Sequence, residues 1–285
     1  MSLAAEQIAA HPQFLNFFRM QSRALLQVYN ADARMASVFA TQQRWLLAHA
    51  ALALYFERGP AESCTGITLT RFFELVAWDK IASRNTADTF IKEMVHYNFV
   101  RHIGGEDKRT RPLIPVEATV GAITGWVSVH LSTLDQIDDG KRLSRFLNTE
   151  HAIWRLHPAI ARGLLASSAV RKPQKTFSLF TWLDNGGVVM EWLISNLGNP
   201  SEDSDRIATA IFSLVDMARW LNLSPTHLMR KLREAEALNS LGWEGQRGKS
   251  TMWVSRDFVH EMVAAQATKL AVIDAAFDAT LGAGG

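Results

Sequence analysis

One spacing constrains this chain more than any other feature: residues of like kind recur 141 positions apart. Ser37-Val38-Phe39 is matched by Ser178-Leu179-Phe180, Ser83 by Ser224, Ile91 by Leu232, and Asn98 by Asn239. The same spacing carries the apolar run Trp45 to Phe56 onto Gly186 to Leu197, where Val188, Val189, Met190, Trp192, Leu193 and Ile194 read as another buried helix. Upstream, His11-Pro12 echoes His157-Pro158 at a slightly different spacing, as a loop of changed length would give. Order and spacing persist over most of the chain. The reading is therefore two copies of one unit, residues 10–140 and 150–282, joined near Asp138-Asp139-Gly140. Chance likeness between two helical halves is the competing account. With their flanking helices the expected domains are residues 1–140 and 141–285, and 285 residues are enough for two cores.

Within the first copy, Phe14, Phe17, Phe18, Leu25, Leu26 and Val28 fall near helical spacing and predict a helix over 13–30. A second helix spans 42–57 and stops at Gly59-Pro60. Thr68 is placed to cap a short helix over 69–77. After a brief connection, Ser83 is placed to cap a helix that runs to about Tyr97. Ala87, Phe90, Ile91, Met94 and Val95 make its apolar stripe. Arg84, Asn85, Asp88, Thr89, Lys92 and His96 fall opposite. Asn98 ends it, because Asn tolerates the left-handed conformation needed there. A hairpin over 99–116 and a long helix over 117–137 complete the copy. The second copy repeats the order: a short helix over 212–220, a turn, and a helix opened by Ser224-Pro225 and stopped by Asn239. A hairpin with the tip Gly245-Gln246-Arg247-Gly248-Lys249 and a closing helix over 256–280 follow.

Short helix, tight turn, second helix, basic-tipped hairpin is the layout of a winged helix-turn-helix. The expected fold is mainly α with small β-hairpin wings, a tandem winged helix-turn-helix with a pseudo-two-fold internal duplication. A helix roughly 10–12 Å across fits the major groove of B-DNA, and a hairpin beside it reaches backbone or minor groove with Arg or Lys. Arg84, Asn85, Thr86, Thr226, Arg230 and Arg233 are the candidates for the major groove. Lys108, Arg109, Arg111, Arg247 and Lys249 are the candidates for backbone or minor groove. From Ser213 to Arg256 seven basic residues face four acidic ones, and from Ser83 to Arg111 six face four. In a chain of net charge +2, that excess is concentrated where phosphates would lie.

From Ser83 to Pro115 the chain resembles the DNA-binding part of MarR-type regulators. The resemblance is carried by the serine opening the second helix, the aliphatic stripe, the helix stop and a wing with Asp-x-Arg, here Asp107-Lys108-Arg109. The stretch Ser224 to Ser255 resembles the same unit with no Asp-x-Arg in its wing. It keeps Arg230 where the family often has an arginine, and the first copy has Thr89 there. The family normally forms homodimers with one unit per chain. The resemblance thus implies a single-chain pseudo-dimer that reads an imperfect palindrome in double-stranded DNA, with half-sites roughly 34 Å apart, and that can dimerise further. It also implies a small aromatic effector.

Other features narrow the classes. Hydrophobic residues are 48% and charged residues 20%, as in a globular protein. A single cysteine, Cys64, excludes an intramolecular disulfide framework and fits a reducing compartment. The longest apolar stretch, Trp45 to Phe56, is interrupted by His49 and shorter than the ~20 residues a membrane span needs. With no basic-then-apolar opening, the expectation is a cytoplasmic protein without a membrane partner. Nine histidines show no ligand spacing within one helix, and no phosphate loop, Gly-x-Ser-x-Gly or HExxH occurs. No metal, cofactor or enzymatic activity is expected. Most of the nine tryptophans read as core fillers. The competing function is a winged-helix scaffold that binds proteins and not DNA, since fold does not fix function.

Overall fold

The computed structural model describes residues 2–31, 41–104, 112–173, 175–181, 186–199, 204–210, 213–221 and 223–282. In chain order the elements are α1 (Ala5–Ala10), α2 (Phe14–Ala31), α3 (Gln42–Phe56), a 3-10 turn (Pro60–Thr65), α4 (Leu69–Trp78), α5 (Arg84–His96), β1 (Val100–His102), β2 (Leu113–Pro115) and α6 (Glu117–Asp138). Then come α7 (Arg142–Asn148), α8 (Ala152–Ala166), α9 (Ser168–Arg171), α10 (Lys175–Thr181), α11 (Gly186–Ser195), β3 (Arg206–Ala208), α12 (Leu214–Trp220), α13 (Pro225–Ala237), β4 (Leu241–Trp243), β5 (Met252–Ser255) and α14 (Arg256–Leu281). The molecule is mainly helical with small antiparallel sheets.

The residues form two compact units. The first comprises Met1–Ile8, Gln43–Arg171 and Lys269–Gly285, and the second Ala9–Gln42 and Lys172–Thr268, each over its described residues. This division cuts across the sequence halves 1–140 and 141–285. Helix α2 belongs to the second unit, whereas α7 and α8 belong to the first.

In the first unit α3 is buried along most of its length, through Leu46, Leu47, Ala50, Leu52, Ala53 and Phe56, as a helix apolar on nearly all sides must be. Helix α4 buries Phe72 and Val76, and α5 buries Ala87, Phe90, Ile91 and Met94. Strands β1 and β2 pair antiparallel, and Ile67 adds a bridge to Leu113. Arg142 fastens the far end. Its Nε donates to Asp274 Oδ1 at 2.6 Å and its Nη1 to Asp138 Oδ1 at 2.6 Å. Asp274, 2% exposed, also accepts from the Leu3 N–H at 2.7 Å.

In the second unit α2 lies along α11, so that Phe18 joins a core with Val189, Leu193, Met217, Leu228, Leu232 and Phe258. The Tyr29 hydroxyl donates to the Leu221 carbonyl at 2.7 Å, and its ring stacks on Trp220. The sheet order is β3-β5-β4, all antiparallel.

Both units make matching backbone links. Ile81 N–H donates to the Val76 carbonyl and Leu223 N–H to the Ala218 carbonyl, which closes the turn between short and second helix in each. Past the second helix, Phe99 N–H donates to Met94 and Ser240 N–H to Ala235. There Asn98 and Asn239 take left-handed φ values of 59° and 56°, as expected for helix stops. Outside each hairpin a third strand partner stands before the short helix, Ile67 opposite Leu113 and Ile207 opposite Val254.

Several local expectations change. The Thr68 and Ser224 hydroxyls make no capping bond, although each residue occupies the capping position. Val28 is exposed and not part of the apolar face of α2. His11-Pro12 separates α1 from α2, while His157-Pro158 lies buried inside α8, so that echo does not join equivalent positions. Ser37-Val38-Phe39 lies outside the described residues.

Candidate nucleic-acid interface

In the second unit the register of α13 sorts its residues. Leu228, Leu232 and Ala235 point into the core, which turns Thr226, His227, Arg230 and Arg233 to solvent. Among the described residues no carboxylate pairs with Arg230 or Arg233, whereas Lys231 is held by Glu234 at 2.7 Å. The hairpin tip is built by its own backbone and hydroxyls. Gly245 N–H donates to Ser250 Oγ at 3.0 Å, Lys249 N–H to the Gln246 carbonyl at 3.0 Å, and Gly248 takes φ 74°. A left-handed φ there suits glycine, which lacks the Cβ that would clash. Lys249 is exposed and, among the described residues, unpaired. Arg247 is also exposed but leans back on Glu236 at 2.5 Å and over the Trp243 ring at 6.0 Å. Such a solvent-facing pair is worth little, and a phosphate can compete for the guanidinium.

In the first unit Arg84, Asn85 and Thr86 fill the exposed first turn of α5. Ser83 caps it, accepting from Thr86 N–H at 3.2 Å. Its hydroxyl also lies 2.9 Å from Thr86 Oγ1, so the Thr86 side chain is partly committed to the cap. Arg84 stacks over Phe73 at 4.9 Å, at the edge of a cleft of about 250 Å³ lined by Thr70, Phe73, Glu74, Val76, Ala77 and Ala82. Lys92 is paired with Asp88 at 2.6 Å. Lys108, Arg109 and Arg111 lie outside the described residues.

The structure thus places Thr226, Arg230, Arg233, Arg247 and Lys249 of the sequence-predicted set in one unit and Arg84, Asn85 and Thr86 in the other. The sequence reading missed β3 and the exposed Arg206 on it, whose guanidinium sits over the Trp253 ring at 4.2 Å. A three-residue strand is too short to show alternation. It also missed large apolar groups on the surface: Trp78, 85% exposed at the end of α4, and Tyr97 and Leu238 at the ends of α5 and α13.

Among the described residues no helix is long and apolar enough to cross a membrane. No group of three or more His, Cys, Asp or Glu among them could hold a metal ion. Compared with protein-family models, with curated proteins and with solved structures, the chain matches none.

Proposed function

We propose that each unit carries a winged helix-turn-helix and that the chain binds double-stranded DNA. Helix α13 and the hairpin β4–β5 form the stronger contact. The observation that carries this reading is in the second unit: a helix whose exposed side offers Thr226, Arg230 and Arg233, with a hairpin bearing Arg247 and Lys249. Guanidinium groups at such positions can form paired bonds to guanine edges or hold phosphates. The matching strand–helix–helix–hairpin order and backbone links of the two units support an internal duplication.

More particularly, the proposed protein is a MarR-like transcriptional regulator in which one chain supplies both reading units, for two unlike half-sites, with a small aromatic effector as modulator. Anisotropy titrations with a random duplex at rising salt test the first step. Binding that weakens linearly in log–log form, by about 0.9 per phosphate contact, is the expected result. No binding at 50 mM salt defeats it.

The second reading is a protein-binding scaffold. It draws on the exposed Trp78, Tyr97 and Leu238, because large apolar side chains at a surface often serve protein partners. Substituting Trp78→Ser, Tyr97→Ser and Leu238→Ser together should leave DNA affinity unchanged if DNA is the partner.

A further inference from the structure

The core of the first unit holds three histidines that the proposed interface does not use. His49 on α3, His130 on α6 and His157 on α8 are 2%, 0% and 0% exposed. The His49 and His157 rings lie 8° from parallel and meet edge to edge, with His49 Nδ1 3.1 Å from His157 Nε2. Trp126 packs against both His49 and His130, and Trp45 and Phe56 close other sides.

The hydrogen bonds fix where the protons sit. His130 Nδ1 lies 2.8 Å from the Trp126 carbonyl, which can only accept, so Nδ1 carries the hydrogen and Nε2 is bare. Among the described residues, His130 Nε2 and His157 Nδ1 are both buried with no protein partner. A bare lone pair is the less costly orphan than a stranded N–H. His157 therefore donates through Nε2 to His49 Nδ1, and its own Nδ1 stays bare. In this arrangement all three rings are neutral.

A proton arriving at either bare nitrogen finds no counter-charge among the described residues. Helix α14 sets Lys269, a like charge, against His49 and His130. The carboxylates of the surrounding elements are engaged elsewhere or exposed. Asp135, Asp138 and Asp274 serve Arg142; Glu57, just past α3, faces Arg71 and Arg162; Glu117 and Asp278 are exposed. On α8, Arg155 donates to the Thr280 carbonyl. Burial holds all three imidazoles below the ordinary histidine range, His157 down to about 3. For His49 the two neighbouring rings and Lys269 add to the effect.

We propose that the His49–His130–His157 cluster makes the first unit an acid-operated lock, whose helices α3, α6 and α8 pack together only while all three rings are neutral. Above pH ~6.5 the rings are neutral folded or unfolded, and the lock is closed. Below it, the unfolded chain takes up protons that the folded unit refuses, so stability falls as pH falls. Each refusing ring raises the unfolding equilibrium constant about tenfold per pH unit, and three together about a thousandfold. Helices α4 and α5 belong to the same unit, so acid would also loosen its hold on DNA. That consequence rests on the DNA-binding reading, whereas the lock itself does not.

The test uses the full chain labelled at histidine Cε1 and followed by NMR from pH 8 to 4.5. Three of the nine rings should keep neutral shifts at pH 5. Urea unfolding at pH 7, 6 and 5 should steepen toward acid, and His157→Gln should reduce that steepness by about tenfold per pH unit. If His157→Gln does not fold, His130→Gln gives the same reading, and the wild-type spectra decide without any variant. Nine rings titrating together, or a folded variant with an unchanged pH slope, overturns the lock. Absence of DNA binding at pH 7, with three silent rings, would sink the DNA reading and leave the lock standing.

Discussion

The two units bury different kinds of polar group. The first buries His49, His130, His157 and Asp274, together with Thr119 and Thr133. The second buries Gln21, Ser22, Thr176, Thr209, Ser240 and Gln266. Only the first set holds groups that can change charge; the second is made entirely of amides and hydroxyls that cannot. At the surface the contrast reverses. The first unit's Arg84 is stacked on Phe73 and its Lys92 paired with Asp88, while the second unit's Arg230 and Arg233 stand open. Matching backbone links therefore do not imply likeness of response. On the readings proposed above, the second unit carries the grip and the first carries the sensitivity to pH.

The largest expected effect tests the buried half of that contrast. Arg142→Met leaves Asp274 buried with only the Leu3 N–H, and removing one partner of a buried pair costs about 3–5 kcal/mol. Hydrogen exchange should show the loss in the first unit. In the second unit, Gln21 has both amide atoms buried with no protein partner among the described residues. Gln21→Met should thus be near neutral in urea unfolding, because no bond is removed. A cost above about 2 kcal/mol for Gln21→Met, or below about 1 for Arg142→Met, breaks the comparison.

Next comes the surface. Arg230→Ala with Arg233→Ala should weaken duplex binding by tenfold or more at 50 mM salt and lower the salt slope by about two. Arg84→Ala removes a guanidinium already stacked on Phe73 and should lower it by well under one. Equal losses from the single substitutions Arg84→Ala and Arg230→Ala would mean that the units grip alike.

A smaller effect separates the helix starts. The Ser83 hydroxyl accepts from Thr86 N–H, whereas the Ser224 hydroxyl makes no capping bond and Pro225 follows it. Ser83→Ala should cost about 1 kcal/mol and Ser224→Ala less than about 0.5, measured by thermal unfolding. Proline at the first helical position removes one of the N–H groups a cap would serve, which accounts for the lower demand.

How far the sequence carries is visible in particular residues. Ser83 and Asn98 bracket α5 (Arg84–His96) closely because a cap and a left-handed stop are local devices. The apolar run from Trp45 reads directly as the buried α3. The placement of α2 does not read out, because an apolar face says that a helix is covered and not by what. The same holds for His49, His130 and His157, which lie on three helices and share no spacing. In the interface, exposure of Arg230 follows from helical period, but the lean of Arg247 onto Glu236 depends on the hairpin's bend. The tip with Lys108, Arg109 and Arg111 falls outside the described residues.

The smallest effect asks where the units should agree. Asn98 and Asn239 hold φ near 59° and 56° directly after equivalent helices, followed by the same return bond to the helix. For an L-residue with a Cβ this conformation costs roughly 1–2 kcal/mol, less for Asn, whose side chain bonds locally, and nothing for glycine. Asn98→Ala and Asn239→Ala should therefore each cost about 1 kcal/mol. Asn98→Gly and Asn239→Gly should each stay within about 0.5 of the parent, since relief of the Cβ offsets the added freedom of the unfolded chain. The two sites should respond alike in urea unfolding, because the backbone there is shared even where cores and surfaces are not. A response confined to one site would show that the two stops differ in kind, and would remove the best local support for a duplicated unit.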